Sequence, residues 1–221
     1  MGLSMDSAQI KSQIAYEKIR NLILLGTKRP GTHLVLADLE KELNMGRGPV
    51  REALMRLDRS GLVVNIPYKG IVVAEPPTMK ELMHLYTAQM HMEKALIAEA
   101  IQHFTPQDIQ DLNIILEQMS DLAVINFLRL NRTFHGRLYQ CAHLPHLAMM
   151  AEKIMESIEM YLHIYQPSKE HCASSLEQHL LVVQGLQEQD LEKAESNLVA
   201  NQRNGIAVIQ RGYAATRSEQ A

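Results

Sequence analysis

The sequence predicts a mainly α-helical protein in two parts. Residues 1–76 read as a winged helix-turn-helix with a small β-hairpin, and residues 77–221 as an antiparallel bundle of about six helices. Three observations predict this. Two short amphipathic helices meet at a glycine-rich turn around Gly46 and Gly48. Two β-branched runs follow directly, Leu62 to Ile66 and Ile71 to Ala74. Beyond Pro77 the apolar residues keep a helical period, and no β-rich stretch appears.

The elements follow in order. Val35 to Asn44 gives a short helix with Leu36, Leu39 and Leu43 on one face. Gly46 and Gly48 loosen the chain, and Pro49 suits the first position of the next helix, where a missing N–H costs nothing. Val50, Ala53, Leu54 and Leu57 then form one buried stripe at i, i+3, i+4 and i+7. Arg47 and Arg51 stand at the start of that helix and off the stripe, the position from which a recognition helix reads a major groove. The two β-branched runs flank Pro67-Tyr68-Lys69-Gly70, which reads as a hairpin. Its tip offers Lys69 and the flexible Gly70 to a phosphate backbone or a minor groove. Arg47, Gly48, Arg51, Lys69 and Gly70 are therefore the predicted contacts to double-stranded DNA.

Glu75-Pro76-Pro77 marks the boundary, because two prolines stop the strand and stiffen a connector. Thr78-x-x-Glu81 caps a long helix to about His103, and Thr105-Pro106-x-Asp108 starts another to about Leu122. Further helices cover roughly 123–142, 145–166, 170–188 and 190–213, although Gly185 and Gly205 interrupt the last two patterns. Such an alternation of helices and short loops is an antiparallel bundle.

Charge divides with the domains. Residues 1–76 hold 11 Lys+Arg against 8 Asp+Glu, and residues 77–221 hold 11 against 17, so the acidic half should point away from DNA. Cys141 and Cys172 are far apart and form no CxxC, which fits a reduced cytoplasmic protein. No signal peptide and no membrane span is expected. Nine of the 13 Met and nine of the 10 His lie beyond residue 76, in a bundle whose methionines suit an adaptable core or the wall of a small-molecule pocket. Asn131-x-x-x-His135 puts a carboxamide and an imidazole one helical turn apart, and His179 sits among apolar residues in EQHLLVV. Nothing resembles HExxH, a nucleophile elbow or a phosphate loop, so no enzyme is predicted.

Residues 13–75 resemble the DNA-binding domain of GntR-type bacterial regulators. The resemblance rests on AYEKIRNLILLG, on RPGTHL, on LADLEKELNMGRGPVREALMRLDRSGLV and on the wing ending in KGIVVA. Where that family usually places Ser-Arg-Thr before Pro-Val-Arg-Glu-Ala-Leu, this chain has Gly46-Arg47-Gly48, and a common basic position on the preceding helix is Ala37. Binding to DNA is implied, with a half-site of its own. Residues 78–204 resemble the helical effector domain of FadR-type members, on Phe134-His135 and HLLVVQGLQEQDLEKA. That resemblance implies a divalent-metal position whose four ligands fall here on Asn131, His135, His179 and Asn201. Two imidazoles and two amides would hold zinc or nickel weakly, through His135 and His179. The arginine with which many relatives clamp an organic acid is Gln89 here, four residues before Glu93, leaving Arg129, Arg132 or Arg137 as substitutes.

Together these readings predict a homodimeric, ligand-responsive repressor on a palindromic operator. A small metabolite would bind at Gln89, Asn131, His135, His179 and Asn201. The alternative is a constitutive DNA-binding or helical interaction protein whose bundle has lost ligand sensing.

Overall fold

The computed structural model describes residues 7–120, 124–165 and 167–218, which fall into two compact units, 1–77 and 78–221. The first unit runs α1 (Ser7–Leu24), β1 (His33–Leu34), α2 (Leu36–Leu43), α3 (Arg47–Ser60), β2 (Val63–Ile66) and β3 (Gly70–Val73). The second runs α4 (Met79–His103), α5 (Pro106–Met119), α6 (Val124–Gln140), α7 (Pro145–Tyr165), α8 (Lys169–Gln187) and α9 (Leu191–Ser218).

In the first unit the α3 stripe of Val50, Ala53, Leu54 and Leu57 is fully buried. It packs on α1, whose Ala15, Tyr16, Ile19 and Ile23 form the other half of the core. Arg56 fastens the pair: it donates to Gln13 Oε1 at 2.8 Å and lies 4.2 Å over the Tyr16 ring. Of the predicted α2 face, Leu39 and Leu43 are buried and Leu36 is half-buried. The recognition helix starts at Arg47 with Gly46 as its cap, two residues before the start expected at Pro49. Proline is tolerated throughout a first turn, because none of those N–H groups has an intrahelical partner, so it marks the turn without fixing the first residue.

The hairpin has grown into a three-stranded antiparallel sheet of order β1-β3-β2, with His33 opposite Val72 and Leu34 opposite Ile71. A two-residue strand carries no periodicity, so β1 left no trace in the sequence. The wing turn bends through Tyr68 (φ 65°) and Gly70 (φ 86°).

In the second unit the caps act at the predicted places. Thr78 Oγ1 accepts from the Glu81 N–H, and Thr105 with Asp108 forms a complete capping box. The expected helix end at Leu122, the start at 123 and the end at 166 lie outside the described residues. One apolar cluster joins α4, α5, α6, α7, α8 and α9 through Leu96, Ile97, Leu112, Phe134, Met155, Val182 and Leu198. A second gathers Leu82, Tyr86, Leu128, Ile158, Tyr161 and Ile209.

The two glycines that interrupt the helical pattern sit at close approaches. A Cβ on Gly185 would lie 2.7 Å from the backbone N of Ala194 and 3.0 Å from the Asp190 carbonyl oxygen. On Gly205 it would meet the Tyr86 hydroxyl at 3.1 Å. Helices α8 and α9 thus cross with almost no space between their backbones, and glycine is what allows it.

Candidate functional site

Between the helices of the bundle lies a cavity of about 60 Å³. Gln89 reaches it from α4, Asn131 and His135 from α6, and Asn201 from α9, so three helices bring four of the predicted residues to one wall. His179 is not on that wall. It is fully buried behind it, its Nε2 3.3 Å from Nε2 of His135.

The organising group of this site is Glu93, which is 1% exposed on α4. Its carboxylate accepts hydrogen bonds from the Tyr139 hydroxyl, from Nε2 of Gln202 and from Nε2 of Gln89, the last at 3.0 Å. Nδ1 of His135 stands 3.3 Å from the same carboxylate. Burial alone would raise the Glu93 pKa, but the adjacent His135 and the hydrogen bonds from His135, Tyr139 and Gln89 outweigh it and hold the carboxyl below its ordinary value. A carboxylate only accepts, so Nδ1 of His135 carries hydrogen and its Nε2 turns toward His179. Desolvation, and then the proximity of His135, push the His179 pKa well below its ordinary value, so this ring stays neutral.

The remaining charges follow the same pattern of local pairing. Of the three arginines that the sequence offered, Arg129 is exposed, and Arg137 is held by Asp108 and Asp111 of α5. Arg132 alone lines the cavity, with Nη1 3.5 Å from the Glu159 carboxylate. Glu159 is also 3.5 Å from Nε2 of His163. Ser175 lines the cavity and accepts at 2.6 Å from Nδ2 of Asn201. Burial pushes the Cys141 and Cys172 thiols up to about 11, leaving neither as a reactive thiolate near neutral pH.

A metal position here would need at least three protein ligands. The facing Nε2 atoms of His135 and His179 supply two. Asn201 donates through its amide nitrogen to Ser175, so only amide oxygens, those of Asn131 and Asn201, remain to add to them, and Glu93 stands at the far nitrogen of His135. Among the described residues no group of three or more His, Cys, Asp or Glu could hold an ion. Two imidazoles backed only by amide oxygens would hold an ion weakly.

The winged unit presents its own face. Arg47, Gly48 and Arg51 are exposed in the first turns of α3, and Gly46 caps that helix without a side-chain hydrogen bond. Free backbone N–H groups and two guanidiniums therefore share one helix end, a natural seat for phosphate and for guanine edges. Lys69 and Gly70 are exposed at the wing tip beside Tyr68, whose side chain is fully out in solvent. Among the described residues no helix is long and apolar enough to cross a membrane.

Sequence reasoning gave no role to Glu93 and missed Tyr139, Gln202 and Ser175. It had a usable signal for Glu93: a carboxylate on the same helical stripe as Leu82, Tyr86, Leu96 and Ala100. Tyr139, Gln202 and Ser175 carry no such mark, because only the tertiary fold brings them together.

Residues 11–73 match the family of bacterial regulatory proteins, gntR family, and residues 84–200 match the FCD domain. The HTH-type transcriptional regulator McbR of Escherichia coli is 24% identical over 201 residues, covering 88% of this chain and 90% of McbR. The HTH-type transcriptional repressor NanR of Salmonella arizonae is 27% identical over 188 residues, covering 72% of this chain and 70% of NanR. The solved structure of E. coli McbR/YncC has the same fold, with a TM-score of 0.76 at 23% identity over 92% of this chain and 98% of that one. The proteins it resembles in sequence and in fold are transcription regulators, not enzymes. The chain belongs to the gntR family of bacterial regulatory proteins, as a transcription regulator whose helical half is an FCD domain.

Proposed function

We propose that the protein is a cytoplasmic repressor that binds a palindromic operator as a homodimer and is released when a small metabolite enters the bundle cavity. The observation that carries this reading is the convergence of Gln89, Asn131, His135 and Asn201 from three helices on one cavity. Buried polar groups cost free energy unless they find partners, and a cluster of them around a cavity is the ordinary form of a ligand site. The cavity of about 60 Å³ has room for only a few water-sized groups. A metabolite must therefore displace side chains to enter, and a shift of α4, α6 or α9 then couples occupancy to the dimer. The name of the relative NanR, a repressor, supports the sign of regulation. His135 and His179 act here as a hydrogen-bonded pair that stiffens the wall, without resident zinc or nickel.

At the DNA, Arg47 and Arg51 read base edges from the N-terminal turns of α3, Gly48 lets the backbone approach, and Lys69 with Gly70 contacts the backbone or minor groove. The test is selection of bound duplexes from a random pool, followed by titration of the recovered site. A two-fold symmetric site with half-sites about one helical turn apart is the expected result. A single asymmetric half-site would remove the dimeric reading. Titrating the recovered site against fractionated metabolites then tests release: no fraction changing the affinity would leave a constitutive DNA binder.

A further inference from the structure

The chemistry of the cavity wall restricts what can enter it, and this restriction rests on the reading of the cavity as the effector site. Glu93 fixes the orientation of two glutamines. A carboxylate has no hydrogen to give, so Gln89 and Gln202 must both turn their NH₂ groups toward it, as they do. Their carbonyl oxygens are then forced away from Glu93. Both oxygens are buried, and neither has a hydrogen-bond partner. Gln89 is 5% exposed and Gln202 is 9% exposed, and both line the cavity. An orphaned buried acceptor is costly, and two beside one cavity call for a donor.

Charge points the same way. The groups facing the cavity are the carboxylates of Glu93 and Glu159, the guanidinium of Arg132, and the imidazoles of His135 and His171. Arg132 is already paired with Glu159. Burial, followed by the nearby Arg211 charge, lowers the His171 pKa. A carboxylate arriving between Gln89 and Gln202 would set lone pairs against two carbonyl oxygens, with Glu93 directly behind them.

We propose that the effector is recognised as a hydrogen-bond donor: a compact uncharged or cationic molecule whose amide, hydroxyl or ammonium hydrogens are taken up by Oε1 of Gln89 and Oε1 of Gln202. A carboxylate is not the group recognised at this wall.

Acetamide and acetate test this, because they share a shape and differ in having hydrogens to donate. Each is titrated into the isotope-labelled full-length protein, with the side-chain amide signals of Gln89 and Gln202 followed by NMR. Acetamide is expected to shift both signals and to bind at least tenfold more tightly than acetate. Gln202→Met removes one carbonyl while leaving Glu93 three of its donors, and should weaken acetamide at least tenfold. If that variant does not fold, the comparison on the parent protein decides alone. Acetate binding as tightly as acetamide, or neither shifting the two signals, overturns the proposal. The two readings fail separately. An anionic metabolite that releases DNA while acetamide leaves the glutamines untouched sinks the donor rule and keeps the sensor. Acetamide bound at the glutamines, with no metabolite changing DNA affinity, does the reverse.

Discussion

Glu93→Gln isolates the group on which the bundle cavity is built. The substitution keeps the shape and removes the charge and one acceptor. In the parent, four donors converge on the carboxylate: the Tyr139 hydroxyl, Nε2 of Gln202, Nε2 of Gln89 and Nδ1 of His135. The amide oxygen can accept from two of them. Its own NH₂ group then faces the others, so at least two buried donors lose their acceptor. Each costs about 1–3 kcal/mol. Relief from burying a charge offsets part of this, which leaves a net loss of roughly 3 kcal/mol. For a chain of this length that is on the order of 6–12 °C in Tm. Urea unfolding of the helical domain, followed by far-UV circular dichroism at neutral pH, gives the difference directly.

The pH dependence supplies a second readout. The Glu93 carboxyl lies below its ordinary 4.5 in the folded chain, so its contribution is complete above 4.5 and is lost as the pH falls below it. His179 lies well below its ordinary 6.5, so the unfolded chain takes up that proton first and stability falls as the pH drops below 6.5. The Gln variant should keep the His179 limb and lose the steeper one below 4.5. A loss under about 1 kcal/mol, or an acid limb identical to the parent's, would refute the assignment of Glu93 as the hub.

Other expectations are independent of that hub. Arg47→Ala and Arg51→Ala should each lose roughly 1–3 kcal/mol of specific binding per half-site, measured by fluorescence anisotropy at fixed salt; parent-like affinity in both would reject α3 as the reading helix. Lys69→Ala should weaken specific and non-specific DNA alike and lower the salt slope by about one, whereas a changed sequence preference at constant slope would contradict a backbone role. Gly185→Ala would ordinarily gain about 1 kcal/mol of helix propensity, but its Cβ would lie 2.7 Å from the Ala194 backbone N, so a net loss of about 1–3 kcal/mol in urea unfolding is expected. A more stable alanine variant would mean that α8 and α9 are not in such close contact. Chelation followed by added zinc or nickel should leave Tm unchanged, and a rise that grows with metal concentration would restore His135 and His179 as ligands.

The fold was legible where local physics decides it. Threonine caps placed the starts of α4 and α5 to the residue, since Thr78 and Thr105 can satisfy backbone donors only at a helix entry. The α3 stripe was readable because its four apolar positions share one face. What escaped was set by a partner. His33 and Leu34 form a strand only because β3 lies alongside them. Gly185 reads as a helix breaker until Ala194 is seen against it.

The site divides along the same line. Asn131 and His135 are one turn apart, so their common direction follows from a single helix. Tyr139 and Gln202 reach Glu93 across sequence separations of 46 and 109 residues, and no local pattern announces that meeting. Yet half of it was available. Leu82, Tyr86, Gln89, Glu93, Leu96 and Ala100 are all buried along α4 at alternating steps of four and three. A carboxylate on such a stripe must find donors or stay protonated, and the Gln89 amide one turn earlier is the nearest local donor. The same constraint dictates which way that amide turns and leaves its oxygen without a partner. The polarity of the cavity wall thus starts from one charged residue on an otherwise apolar helical face.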